Sequence, residues 1–137
     1  MKERFTIEEA QDELLRDIGS RLSDKEIFVL IHLAEIRKAY ERIAKDGDAG
    51  TKILSVDGSD TIANIANTTN VNYQIVRYVL HAMYLMGFVE KKRMNTNAQS
   101  WAITNRGGRA LDLLLSDDHE KESLVERFKK ATRKNKK

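Results

Sequence analysis

Residues 61–109 read TIANIANTTNVNYQIVRYVLHAMYLMGFVEKKRMNTNAQSWAITNRGGR, and their apolar residues change spacing along the stretch. Apolar side chains recur at helical spacing over 61–68 and again over 72–86, with a short polar turn between the two segments. Over 88–104 the spacing is instead that of two short strands around a polar tip. The stretch therefore predicts two helices, a β-hairpin and the start of a third helix.

The predicted helix over 72–86 divides into an apolar face and a polar face. The apolar residues follow the spacing of a buried face, and they are Val71, Ile75, Val76, Val79, Leu80 and Met83. The polar face carries Asn72, Tyr73, Gln74, Arg77 and His81. An α-helix fits the major groove of duplex DNA, where arginine pairs with guanine and glutamine or asparagine pairs with adenine. If the chain binds DNA through this helix, we expect Asn72, Tyr73, Gln74 and Arg77 to contact bases, and the alternative is a solvated helix face without a partner.

The predicted hairpin carries its positive charge on the first strand, as Lys91, Lys92 and Arg93. Alternation along a strand places Lys91 and Arg93 on one side and Lys92 on the other. Cations in such a hairpin neutralise phosphates or lie in a narrow minor groove. The residues that we expect to contact the DNA backbone are Thr69, His81, Lys91, Lys92, Arg93, Asn95 and Asn97.

For three further side chains near the hairpin, the sequence leaves two roles possible. Trp101 alternates in phase with Ile103, which favours a place in the core over a surface for base stacking. Arg106 and Arg109 stand at the start of the next predicted helix. They either contact the DNA backbone or form ion pairs on the surface of that helix.

Together these motifs resemble the winged helix-turn-helix transcriptional regulators of the MarR and PadR type. The resemblance covers roughly residues 24–115. Its matching segments are Ile65–Ala66, Val71, Val76, Val79, Leu80, Met83, Gly87–Val89 and Ile103–Gly107. It implies a mainly α-helical fold with a small β-hairpin, in which helix 72–86 reads DNA beside a basic wing at 88–104. This chain departs from those regulators in the apolar segment Tyr84–Met86 and in its hairpin tip, which lacks their Asp/Arg-rich signature.

The net charge of +3 is unevenly distributed along the 137 residues. Residues 1–60 carry 10 basic and 14 acidic side chains, residues 61–118 carry 6 and 4, and residues 119–137 carry 8 and 3. Positive charge therefore lies with the predicted DNA-reading segment and with the C-terminal tail. The asymmetry indicates a polyanionic partner that meets one face, and the alternative for the tail alone is an ordinary solvated lysine segment.

Capping boxes predict two helices before the DNA-reading segment, because Thr6 is followed by Glu9 and Ser23 by Glu26. With these helices the chain divides into three segments. They are an N-terminal amphipathic helix over 1–22, a winged helix-turn-helix domain over 23–115, and a C-terminal helix with a basic tail over 116–137.

The outer helices contain more apolar residues than one small core requires. These residues are Ile7, Leu14, Leu15, Ile18, Leu111, Leu114, Leu115, Leu124, Val125 and Phe128. We therefore expect a homodimer built from the terminal helices, which would place two DNA-reading helices about 34 Å apart on successive turns of the duplex. The alternative is that these helices fold back and complete the core of a single chain.

The sequence contains none of the motifs that would indicate an enzyme. It has no cysteine, and its 3 histidines are scattered without metal-ligand spacing. No phosphate loop, nucleophile elbow or dinucleotide fingerprint is present. We therefore expect no catalysis, no metal and no cofactor. We also expect a cytoplasmic, nucleoid-associated protein without a membrane span. A small-molecule effector remains open.

The function expected from these features is sequence-specific binding of double-stranded DNA by a transcriptional regulator, most simply a repressor. A second role with the same contacts is that of a plasmid or phage accessory protein, which acts in partition, replication or transfer at DNA repeats. A third is that of a winged-helix adaptor that binds other proteins, for which the apolar segment Tyr84–Met86 and the acidic first half of the chain are the support.

Overall fold

A computed structural model describes residues 6–46, 58–93, 99–118 and 122–133 of the chain. These residues form a mainly helical fold with one small antiparallel hairpin, as the sequence predicts. In chain order the elements are α1 (Ile7–Gly19), α2 (Asp24–Asp46), α3 (Ile62–Thr69), α4 (Tyr73–Leu85), β1 (Val89–Arg93), β2 (Gln99–Ile103), α5 (Asn105–Ser116) and α6 (Leu124–Arg133).

The predicted capping boxes begin the first two helices. The hydroxyl of Thr6 accepts a hydrogen bond from the backbone N–H of Glu9, whose carboxylate accepts one from the N–H of Thr6. Ser23 and Glu26 make the same reciprocal pair at the start of α2. These pairs satisfy amide groups that have no partner within the helix, and they fix where each helix starts.

Helix α2 lies at the centre of the fold. Seven consecutive residues, Ile27–Leu33, are buried, so this part of the helix is covered on all sides. The elements packed against α2 are α3, α4, α5, α6 and β2. A helix covered by so many neighbours has no solvent face over these seven residues, which is why its apolar residues form a run there rather than a stripe.

The hairpin pairs β1 with β2 in antiparallel register, with Val89 opposite Ile103 and Lys91 opposite Trp101. Both faces of β2 are buried, so Ser100 and Ala102 are covered as well as Trp101 and Ile103. The reason is that helices cover both sides of the strand: α2 packs against β2, and two α4 side chains contact the ring of Trp101. Trp101 itself is fully buried, which confirms its predicted place in the core.

The helix after the hairpin, α5, provides the surface on which α1 packs. Leu15 is buried there, and Gly19 lies against the side chain of Leu114. The guanidinium of Arg109 donates to both carboxylate oxygens of Asp12, at 3.1 and 2.7 Å. Arg109 therefore takes the second of its two predicted roles, an ion pair on the helix surface.

The C-terminal helix α6 returns to the start of α2. Phe128 packs edge-to-face on Phe28 at 5.7 Å between ring centroids, and Arg127 pairs with Asp24 at 2.9 Å. Leu124 and Phe128 are thus part of the core of one chain. The expectation that these two residues are surplus to that core is wrong, because α6 covers a side of α2 that would otherwise be exposed.

Two apolar side chains of α1 remain exposed, Ile7 at 78% and Leu14 at 51%. The homodimer through terminal helices stays a prediction, and α1 is now the helix that supports it. None of the helices in the described part of the chain has both the length and the apolar character needed to cross a bilayer.

Candidate nucleic-acid interface

The turn between α3 and α4 is built by three adjacent residues. Asn70 ends α3 in the left-handed conformation, with φ of 60°, which asparagine tolerates better than most residues. Val71 is buried and anchors the turn in the core. The side-chain oxygen of Asn72 then accepts from the backbone N–H of Gln74 at 2.8 Å and so caps α4. The sequence of the turn thereby sets the direction in which α4 leaves α3.

Helix α4 presents the polar face that its sequence predicts. Asn72, Tyr73, Gln74, Arg77 and His81 are all exposed. On the opposite side Val76, Val79, Leu80 and Met83 are buried, and α4 packs there against α2, α3 and β1. The predicted division into two faces is therefore confirmed, and its polar side chains project from the surface together.

Thr69 cannot act as predicted. Its side chain is buried, with 1% exposed, and its hydroxyl donates to the carbonyl oxygen of Ile65 at 2.7 Å. A side chain in that position cannot reach a phosphate. It satisfies a carbonyl in the last turn of α3 instead, a local bond that threonine often makes in helices.

Sequence reasoning missed Tyr78 as part of the exposed face. Its side chain is 71% exposed, one residue after Arg77 and four after Gln74, so it lies on the same side of α4 as both. The signal that could have found it is the i, i+4 spacing from Gln74, which places both side chains on one stripe of the helix. Arg77 is the single lysine or arginine of α4, so aromatic and neutral polar groups make up most of this face.

The two hairpin lysines lie on opposite faces, as alternation predicts. Lys91 lies on the α4 side, with Nζ 4.8 Å from the centre of the Tyr84 ring and 5.5 Å from that of Trp101. Lys92 lies on the other side, where it pairs with Glu90 at 3.7 Å. Of the remaining predicted hairpin contacts, Asn95, Asn97 and the side chain of Arg93 lie outside the described residues.

His81 and Arg106 are more constrained than their sequence positions suggest. The His81 ring, although exposed, packs edge-on against Trp101 at 5.6 Å. Arg106 donates to the carbonyl oxygen of Met86 at 3.0 Å and lies over the ring of Phe88. Arg106 therefore satisfies the C-terminal end of α4, and a contact with the DNA backbone would have to compete with that role.

No protein-family model matches this sequence, and no curated protein is significantly similar to it. The resemblance to MarR and PadR regulators therefore stays a prediction. Within the described residues no cluster of three or more histidine, aspartate or glutamate side chains could hold a metal ion. The exposed face of α4 with the adjoining hairpin is the candidate site, because its side chains offer hydrogen bonds and charge at the surface.

Proposed function

We propose that this protein is a winged-helix regulator that binds double-stranded DNA in a sequence-specific manner. Helix α4 enters the major groove, and the hairpin forms the wing beside it. The observation that carries the proposal is the exposed face of α4, with Gln74 and Arg77 on the solvent side and the hairpin packed along the same helix. An outward-facing helix next to a hairpin is a geometry that the major groove accommodates.

The roles of the side chains follow from their chemistry. The guanidinium of Arg77 offers two parallel donors to O6 and N7 of guanine, and the amide of Gln74 can both donate to and accept from adenine. Asn72 uses its side-chain oxygen as the cap of α4, so its amide N–H groups are what it can offer a base or phosphate. Tyr73 and Tyr78 flank this set and can contact thymine methyl groups or phosphates.

The regulator acts as a homodimer that occludes a promoter, which makes it a repressor. The exposed Ile7 and Leu14 of α1 support this part of the proposal, since burying them against a second copy removes apolar surface from water. A dimer would bring two α4 helices to successive major grooves. An accessory protein for plasmid or phage DNA would use the same contacts at repeated sites.

The experiment that tests DNA binding is a titration of random-sequence duplex at several salt concentrations. A protein with six or more phosphate contacts loses roughly a thousandfold in affinity between 50 and 200 mM salt. A protein that shows no affinity at 50 mM salt would refute the proposal.

A protein-binding adaptor is the second candidate. Leu85 is 85% exposed at the end of α4, next to the half-exposed Tyr84 and about two helical turns after the exposed Tyr78. An adaptor that uses this apolar group would bind no duplex at any salt, so the same titration separates the two functions.

A further inference from the structure

Four side chains meet where the hairpin lies against α4. His81 and Tyr84 come from α4, Lys91 from β1 and Trp101 from β2. The Tyr84 ring packs edge-on against Trp101 at 6.3 Å, and the His81 ring does so at 5.6 Å. This aromatic junction contains the only tryptophan of the sequence.

Trp101 is fixed at its backbone but not by its indole N–H. Its backbone N–H and C=O exchange hydrogen bonds with Asp60, at 2.8 and 2.9 Å, which ties β2 to the segment just before α3. Its Nε1 is buried and has no hydrogen-bond partner among the described residues. The ring is therefore held by packing and by charge, so its neighbours decide how firmly the hairpin rests on α4.

Lys91 is the charged neighbour. It stands directly opposite Trp101 in the register, so the two side chains leave the same face of the hairpin. Its ammonium group lies within reach of two ring faces, those of Tyr84 and Trp101. Cation–π attraction of this kind shifts an equilibrium by about 2- to 30-fold, depending on how far the pair is desolvated.

We propose that Lys91 is a positioning residue, which holds the wing against α4 and so sets the spacing between the wing and the base-reading side chains Gln74 and Arg77. The inference rests on the proposed DNA-binding function, and it replaces the role of phosphate contact first expected for Lys91. Lys92, whose side chain leaves the opposite face of the hairpin and pairs with Glu90, is the matched cation.

The test compares Lys91→Met, which keeps the aliphatic stem, with Lys91→Arg, which keeps a cation, and with Lys92→Met. Acrylamide quenching of Trp101 is measured first, without DNA. We expect quenching to increase in Lys91→Met, to return to the wild-type value in Lys91→Arg and to stay unchanged in Lys92→Met. Unchanged quenching in Lys91→Met would overturn the proposal.

Duplex affinity is then measured against salt. We expect Lys91→Met to bind about 2- to 30-fold more weakly at every salt concentration, with an unchanged slope of log affinity against log salt. A slope smaller by about one would identify Lys91 as a phosphate contact and overturn the proposal. If the wild-type protein binds no duplex, the proposed function fails, while quenching alone still decides whether Lys91 holds the hairpin.

Discussion

His32 Nε2 lies 2.6 Å from Asp60 Oδ2, and this pair joins the central helix α2 to the residue that precedes α3. The histidine is buried, and the carboxylate of Asp60 also accepts from the side-chain amide of Asn64 and from the backbone N–H of Thr61. Asp60 in addition pairs with Trp101 through its backbone. Asp60 therefore ties the start of α3 both to the buried part of α2 and to strand β2.

Removing this carboxylate should destabilise the whole fold. Asp60→Ala leaves the His32 ring nitrogen buried without its partner, so we expect the free energy of unfolding to fall by about 1–3 kcal/mol. Urea denaturation followed by circular dichroism measures the change. Asp17→Ala is the control, because the side chain of Asp17 is exposed and pairs with Arg21 at the surface. Equal stability of Asp60→Ala and the control would contradict the assigned role.

The two adjacent glycines of α5 should respond oppositely to alanine. A Cβ at Gly107 would lie 2.2 Å from the carbonyl oxygen of Phe88, whereas a Cβ at Gly108 meets nothing within 4 Å. Gly107→Ala should therefore lower the free energy of unfolding by about 2–3 kcal/mol, since backbone must move. Gly108→Ala should raise it by about 0.5–1 kcal/mol through helix propensity. The opposite order of the two variants would show that α5 does not approach the backbone of Phe88 as described.

The contact between α1 and α5 should depend on pH. The hydrogen bond from the Arg109 guanidinium is the largest cause that lowers the pKa of Asp12 below its ordinary value of 3.8. Because the folded-state pKa is the lower one, the carboxylate stabilises the fold above the ordinary value, and that contribution is lost as pH falls through the folded-state pKa. Wild type should thus be more stable than Asp12→Asn at pH 7, and the difference should shrink below about pH 4. Urea denaturation of both proteins at several pH values measures it, and a difference independent of pH would contradict the pair.

The dimer should depend on the exposed apolar residues of α1. Sedimentation at low micromolar concentration should give twice the monomer mass of 15.7 kDa for the wild type and the monomer mass for Leu14→Glu. Leu85→Glu is the matched control, because Leu85 is exposed on α4 rather than on a terminal helix. A wild-type protein that sediments as a monomer would refute the proposed dimer.

The face of α4 could be predicted from sequence because a 3.6-residue period relates its side chains without reference to any other element. The burial of Thr69 could not, since nothing local distinguishes a hydroxyl that bonds back to its own helix from one that faces solvent. The position of Lys91 over two rings required the register of the hairpin and its distance from α4, both set by long-range packing. Leu124 and Phe128 likewise look surplus until α6 is seen to cover α2.

The sequence preference of Arg77→Ala shows most directly whether the exposed face of α4 reads DNA. Sites are selected from random duplexes with the wild type, and affinities are then measured for a selected duplex and for its scrambled counterpart. Arg21→Ala serves as the control, because it also removes an exposed arginine. Arg21 lies just after α1, which packs on α5, and is outside the proposed DNA-reading face of α4. We predict that Arg77→Ala loses about 1–3 kcal/mol of preference for the selected duplex while Arg21→Ala retains it. Full preference in Arg77→Ala would contradict the claim that this face of α4 reads DNA.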